Sequence, residues 1–529
     1  MKLWSVGLVM MLGLQGASAT TFYVDAAKGN DAKSGTSVET AWVSLAAVNA
    51  HKFAAGDSVL FHAGQTWTGT LEPKGNGTAA APIVLSSYGD GAKPEIAGSG
   101  ASVALLLNDV SFWTVKGLAV TNHGKTEGIR NGVEIRVEYV PVVQGIRLLD
   151  VDISDVNGEV HSKSSGGIGI LGWDKNGKAV RFDDLLIEHC TIRHADGQGI
   201  WVHMKGKGDS DDDSDSADDA GDSKAGTAPA KAEIASGANG GRGYPITRLR
   251  ITGTTIEDTG RNAVFLRDAL GASFDHNVVL HASARTHGNA VVVAWSKDTV
   301  VRENEVAFTG QGQGGGENGG FDADDGAVGT VFEYNWTHDN TGGSVNVVMD
   351  PHTKASPNEG TIVRFNLSEN DGVRVFSVGG PVQNTVFANN TIYVGKGRSE
   401  KVLGAGRFTP KKVGDPDKIV VVNNLFLIDG NAEYPISATH VVVDSNCYVG
   451  KHAGGLKDAH KVALNDGAAL GIPADKLPVK SWLEIANYRP AVGSACAGNG
   501  ASVGANGGRD LMGNAVSAEK VDRGALAER

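Results

Sequence analysis

Between Gly271 and Gly450 the chain alternates short runs of Val, Ile and Phe with polar corners, and the corners share one feature. The segments "GASFDHNVVL", "DTVVRENEVAF", "GTVFEYNWTHDN", "GTIVRFNLSEN", "NTVFANNTIYV", "IVVVNNLFLID" and "HVVVDSNCYVG" each carry a β-branched strand, an asparagine three residues after an apolar position, and a second short strand. These asparagines are Asn277, Asn304, Asn335, Asn366, Asn390, Asn424 and Asn446, spaced 22 to 34 residues apart. A short minimum period with variable additions predicts one coil per repeat, with the extra residues in loops. Strands this short cannot bury a face alone, but stacked coils share one continuous core. An asparagine at the same corner of every coil can bond to the corners above and below, and tolerates a left-handed turn. The fold class expected is all-β, a right-handed parallel β-helix. Cys190 in "IEHCTI" and Thr254 in "ITGTTI" occupy the ladder position in earlier coils.

Alternation along each strand sorts the residues after the corners into columns. Ile200, Val264, Val291, Phe321, Val345 and Val373 form an inward column. The next outward column holds Trp201, Phe265, Val292, Asp322, Asn346 and Arg374, and a second outward column holds His203, Arg267, Ala294, Asp324, Val348 and Phe376. A merely solvated sheet would show Thr, Ser, Lys or Asn here. Aromatics, arginines, a histidine and paired carboxylates predict a binding groove instead. Trp201, Phe265 and Trp295 are the residues expected to stack on sugar rings, with His203, Asn346 and Arg374 contacting hydroxyls or carboxylates.

The N-terminal block "TFYVDAAKGNDAKSGTSVETAWVSLAAVNAHKFAAGDSVLF" runs strand, Gly/Asp/Ser loop, short apolar helix around Trp42 to Val48, then strand. It resembles the opening of secreted β-helix proteins of the pectate-lyase-like superfamily. That resemblance implies a cap over the helix end, and a superfamily whose members include lyases, hydrolases, epimerases and adhesins. The domain plan expected is a signal peptide at 1–19, the cap and first coils at 20–100, the β-helix at 101–450, and a C-terminal cap or tail at 451–529. An acidic insertion at 206–241, with eight aspartates between Asp209 and Asp222, has the composition of a disordered loop.

Composition narrows the partners. The first nineteen residues carry one cation, Lys2, a short apolar run and a small-x-small end at Ala17–Ala19, which reads as a secretory signal and places the protein outside the cell or in a periplasm. Formal net charge is -12, so there is no basic footprint for nucleic acid, and no run is long enough for a membrane span. Three cysteines are too few for a disulfide scaffold, though Cys447 and Cys496 could pair; Cys190 reads as a core residue. A monomer acting on a polysaccharide is expected.

Chemistry concentrates in "GGGENGGFDADDGAVGT", Gly314 to Thr330. Asp322 and Asp324, at i and i+2 on one strand, stand roughly 6.5–7 Å apart by strand rise, a spacing that suits an inverting glycoside hydrolase with one protonated acid and one base. Asp325 would anchor the pair from the strand end, and Glu317 is a substitute acid. This hydrolytic reading needs no cofactor and rests on an acidic cluster without an obvious lysine beside it. The alternative is β-elimination from a uronic-acid polymer, with calcium held by Asp322, Asp324 and Asp325, and with Arg267 as base backed by His287 or Lys354. "GFDADD" and "MDPHT" (Asp350, Pro351, His352) also resemble, incompletely, a signature of alginate C5-epimerases, which keeps epimerisation open. A non-catalytic glycan-binding or adhesin role is the remaining alternative. His123, His161 and Asp196 sit in loops where turn chemistry accounts for them.

Overall fold

A computed structural model describes residues 19–173, 175–176, 178–205, 245–311, 317–350, 358–407, 414–454, 456–504 and 506–528. The acidic insertion, His352, Lys354 and all but the last residue of the expected signal peptide lie outside these.

Among the described residues, the strands stack into a 15-stranded sheet and a 24-stranded sheet, each joining a strand to its counterpart one coil later. The pairings run parallel throughout, from Thr21–Val24 beside Ser58–His62 to Ile419–Val422 beside Val441–Asp444. This is the right-handed parallel β-helix that the period predicted. Its core is a continuous column of Val, Ile, Leu and Phe side chains, among them Phe274, Phe332 and Phe387 from alternate coils, with Val301 and Val363 between.

The asparagine ladder forms as read. Asn304 Oδ1 accepts both the backbone N–H and the Nδ2–H of Asn277, at 2.9 and 3.1 Å. The same double bond links each later asparagine to the next, through to Asn446. Cys190 and Thr254 begin the column, where the Cys190 N–H donates to Thr254 Oγ1 and the Thr254 N–H to Asn277 Oδ1. Asp458 ends it, accepting the N–H and Nδ2–H of Asn446 on one oxygen. One detail differs from expectation: the left-handed residue is the one before each asparagine. His276, Glu303, Tyr334, Phe365, Asn389, Asn423 and Ser445 all have φ between 52° and 57°. The ladder residue must turn its amide inward to bridge coils, so the preceding residue makes the bend.

At the N-terminal end a six-residue helix, Leu45–Ala50, is capped by Ser44, whose side chain accepts from the Ala47 N–H. It buries Leu45 and Val48 beside Phe22, Trp42 and Phe53, whose rings pack on one another. At the other end the chain does more than cover the last coil. Residues beyond 451 turn back along the flank of the helix and build a second core, in which Leu470, Ile485, Tyr488 and Leu526 pack on Trp336, Leu367, Tyr393 and Leu425. The "SWLEIANY" segment forms a short helix of the 3-10 type over Trp482–Tyr488. A Cys447–Cys496 disulfide joins this tail to the last coil, and Cys190 is buried as read. Among the described residues no helix is long and apolar enough to cross a membrane.

Candidate active site

Strand register carries the outward row across the sheet. Glu134, Gly169, Trp201, Phe265, Val292, Asp322, Asn346 and Ser377 stand side by side on consecutive coils. Up to Asn346 this is the column that alternation predicted. At the next coil the register differs by three residues: Ser377, not Arg374, lies beside Asn346, and Phe376 lies beside Val345 in the core. Both "VRV" and "FSV" alternate, so periodicity alone did not choose. The larger ring does: Phe376 stacks on Phe387 at 5.1 Å, while Val373 is left 46% exposed in a left-handed turn. Arg374 therefore stands away from the carboxylate row and Phe376 is not outward.

The Gly319–Ala323 strand puts Phe321 into the core and Asp322 on the opposite face, where Asp322 is nonetheless buried by its surroundings. Its Oδ2 accepts the Asn289 Nδ2–H at 2.6 Å, and the Asn289 Oδ1 takes the Gly319 N–H at 2.8 Å. Asp322 Oδ1 is buried without a hydrogen-bond partner, as is Asn346 Oδ1 on the next strand. Burial, reinforced by the negative charges of Asp324, Glu317 and Asp325, pushes the Asp322 carboxyl well above the usual range, and the Asn289 bond opposes this only in part. Asp324, half-buried just past the strand end, is pushed up to about 7 by desolvation and by Asp325, with the Asp325 N–H and Lys163 pulling the other way. Two neighbouring carboxyls that resist ionisation mean that at neutral pH the pair retains a proton.

Asp325 is an anchor. Its Oδ1 accepts the Asp350 N–H at 2.8 Å, its N–H donates to Asp324 Oδ1 at 2.7 Å, and its carbonyl accepts the Trp295 N–H at 2.7 Å. Asp325 thus ties the strand end to the backbone of Trp295 and Asp350. Among the described residues no group of three or more His, Cys, Asp or Glu is arranged to hold a metal ion.

The other expected residues fall into two groups. Arg267 reaches the outward face but is engaged: its guanidinium lies over the Trp295 ring at 4.6 Å and its Nε stands 3.3 Å from Asp268. That engagement covers one face of Trp295 and commits the Arg267 guanidinium to the ring. Trp201 is 2% exposed, its indole N–H held by Asn131 Oδ1 at 2.9 Å and its ring pressed on Gly169, where a Cβ would come within 3.0 Å. His203 is buried beside Leu171, and Phe265 is half-buried. Trp201 and His203 thus pave the sheet and offer no stacking face. His287 lies in the turn that presents Asn289, and Glu317 is exposed where the chain re-enters the Gly319–Ala323 strand.

Sequence reading missed two contributors. Asn289, in "HGNAVVVAW", sits at the strand-entry corner and not at the ladder corner; its match is Asn318 in "ENGGFD", whose Oδ1 accepts the Gly288 N–H. That parallel placement was the available signal. Lys163, from a loop more than a hundred residues earlier, acts electrostatically on Asp324, and only the coiling of the chain brings it there. A lysine does stand near the acidic pair, contrary to expectation.

No family model matches the chain. A lacto-N-biosidase from Bifidobacterium longum subsp. longum is 26% identical over 96% of this chain, and the chain spans 36% of that relative's length. The crystal structure of a GH136 lacto-N-biosidase from Eubacterium ramulus superposes with a TM-score of 0.57 at 19% identity, over 80% of this chain and 68% of that one. A pectate lyase structure covers 97% of this chain and 98% of its own, at 12% identity and a TM-score of 0.41. At these identities the likeness to the Eubacterium ramulus structure is one of fold, and with the parallel sheets it makes this chain a right-handed parallel β-helix.

Proposed function

We propose that the protein is a secreted enzyme that hydrolyses glycosidic bonds of a polysaccharide or oligosaccharide, with Asp322 as general acid and Asp324 as general base. The observation that carries this reading is the pair itself: one carboxyl on the Gly319–Ala323 strand and one just past its end, both held toward their neutral forms, one with an oxygen left unpartnered. Asp322, the more strongly raised, gives its proton to the leaving oxygen as the C–O bond breaks. Asp324, ionised above about pH 7, takes a proton from the water that attacks the anomeric carbon. If strand geometry carried on to Asp324, one residue past the strand end, the i, i+2 spacing of roughly 6.5–7 Å would leave room for that water and favour inversion. The lacto-N-biosidase relative, a glycosidase by name, supports the reaction class.

Elimination is the second reading, favoured by one observation: Lys163 lies within electrostatic reach of Asp324, where its amine, once it has given up its own proton, could take a C5 proton. One assay separates the two. The purified protein is incubated with neutral and uronic-acid glycans, with and without chelator, while reducing ends and unsaturated-uronate absorbance are followed together. Hydrolysis predicts reducing ends alone, indifferent to chelator; absorbance that rises with cleavage would overturn it. Asp322→Asn and Asp324→Asn should each lower kcat at least about 10²-fold, with melting temperature no lower than the parent's. Full turnover by either variant would remove that residue from the mechanism.

A further inference from the structure

Asp322 and Asn346 are partners in register on the adjacent parallel strands Gly319–Ala323 and Gly343–Val348, and both point away from the core that holds Phe321 and Val345. Strands in register stand about 4.8 Å apart, so the two side chains lie flank to flank. Asp322 is 5% exposed and Asn346 6%, and each has an Oδ1 that is buried without a hydrogen-bond partner. Two orphaned oxygens side by side are costly, because each forgoes a bond that water supplies in the unfolded chain.

Elimination narrows what can satisfy them. Both atoms are shut off from solvent, so the partner is internal. On the other flank of Asp322 stands Val292, which offers no polar group, and Asn289 is already bound to Asp322 Oδ2. On the other flank of Asn346 stands Ser377, whose hydroxyl makes no bond to the orphaned oxygen. The amide also has a preferred side. Asn346 Nδ2 lies 3.8 Å, and Asn289 Oδ1 3.0 Å, from the point that a Cβ on Gly319 would occupy. The amide nitrogen is thus on the side of an acceptor, and turning it over would set two carbonyl oxygens together. With Asp322 ionised, both Oδ1 atoms stay unfilled. A proton on Asp322 Oδ1 makes one O–H···O bond that fills both.

We infer that Asn346 is a positioning residue for the acid proton: its Oδ1 accepts a hydrogen bond from Asp322 Oδ1–H, which fixes the proton on that oxygen while Asn289 holds the other. The two asparagines then act in opposite senses, since a donor favours the carboxylate and an acceptor favours the acid. The charged groups that bear on Asp322 are Asp324, Asp325 and Glu317, and all three favour the acid. The flanking Val291–Ala294 and Gly343–Val348 strands carry no ionisable side chain; Lys163 acts on Asp324, and Asp350 is tied by its N–H to Asp325. When the proton passes to the leaving oxygen, the Oδ1–H bond breaks and both acceptors are unfilled again, so Asn346 also favours recovery of a proton after turnover. The inference rests on the hydrolase reading for the use of this proton, and not for the bond that holds it.

The bond is tested apart from activity, by infrared spectra across pH of Asp324→Asn protein, in which one carboxyl of the pair remains, against the Asp322→Asn/Asp324→Asn double variant. The difference should contain the carbonyl band of one protonated carboxyl, persisting well above the ordinary carboxyl range. Adding Asn346→Leu, which removes the acceptor and keeps water out, should lower the pH at which the band is half lost by on the order of half to one unit. Adding Asn289→Ala should raise it. A midpoint unmoved by Asn346→Leu would overturn the inference, and a raised one would overturn it in favour of an amide that donates to Asp322. Should the Asn346→Leu chain not fold, a band already lost within the ordinary carboxyl range in Asp324→Asn protein would overturn it alone. Expected midpoints in a protein whose parent cleaves no glycan would sink the hydrolase reading and leave the bond standing; cleavage by the parent with an unmoved midpoint would do the reverse.

Discussion

Asp322 on its strand and Asp324 just past the strand end share a solvent-poor setting, yet they are held differently. Asp322 is gripped through one oxygen by Asn289, and Asp324 by the N–H of Asp325. A donor to a carboxylate favours its charged form, so Asn289 both aims Asp322 and limits how high its pKa climbs. Asn289→Ala should lower kcat about tenfold or more and move the alkaline limb of the rate profile upward by on the order of half to one pH unit. An unchanged limb in kcat/KM measurements would make Asn289 a purely structural residue. The same shifts fix a sign for stability. Carboxyls raised by folding contribute fully below their ordinary 3.8, and the contribution of Asp324 is lost as pH rises through about 7. Asp324→Asn, which cannot ionise, should therefore equal or exceed the parent's melting temperature above that pH while losing activity, the pattern of a group kept for chemistry at the expense of stability.

At the scale of the element, the asparagine corner decides how coils stack. Asn335 is fully buried; it accepts from Asn304 and donates to Asn366 Oδ1 and the Val301 carbonyl, each bond spanning one coil. Asn335→Leu would strand donors on Asn304 and an acceptor on Asn366, so a loss of about 3 kcal/mol or more is expected in denaturant unfolding. Asn446→Leu, at the end of the column, should cost less, because its later partner is one carboxylate and not a further coil. Equal costs would mean the bonds act singly and not as a ladder. These corners were legible in sequence because a solenoid repeats its physics, and each asparagine recurs three residues after a core apolar position. The same logic placed Phe321 inward and Asp322 and Asp324 outward. It failed at Val373 to Phe376, where two alternating registers overlap and ring packing chooses, and at Arg267 and Trp295, whose mutual stacking no column predicts. Lys163 was invisible for another reason: its significance depends on which loops and coils become neighbours.

For the whole molecule, the returning C-terminal tail alters what a solenoid ordinarily does. Stacked coils contact only their neighbours, so damage should stay local and terminal coils should fray first. Here residues 479–488 bind several coils at once. The buried Glu369 carboxyl accepts from Trp336 Nε1, from the Val479 N–H and from the Tyr488 hydroxyl, while Trp482 Nε1 donates to Glu305. Burial raises Glu369 to about 7 despite those three donors and the charge of His338. Burial alone would lower His338, but Asp339 and Glu305, with Asp371 beyond, hold it up at about 9. Both groups are raised, so both contributions are complete at low pH. Glu369 loses its share as pH climbs from 4.5 through about 7, and His338 from 6.5 through about 9. The Glu369 share is on the order of 3 kcal/mol. Amide-exchange protection across Val479–Tyr488, corrected for intrinsic rates, should therefore fall as pH rises through this window, while the N-terminal coils change little. In Glu369→Gln protein the lower part of that fall should vanish, on top of a constant loss from the Trp336 donor that the glutamine amide can satisfy less well. Protection that stays level with pH in the parent would mean that apolar packing of the tail, not this carboxyl, holds it to the coils.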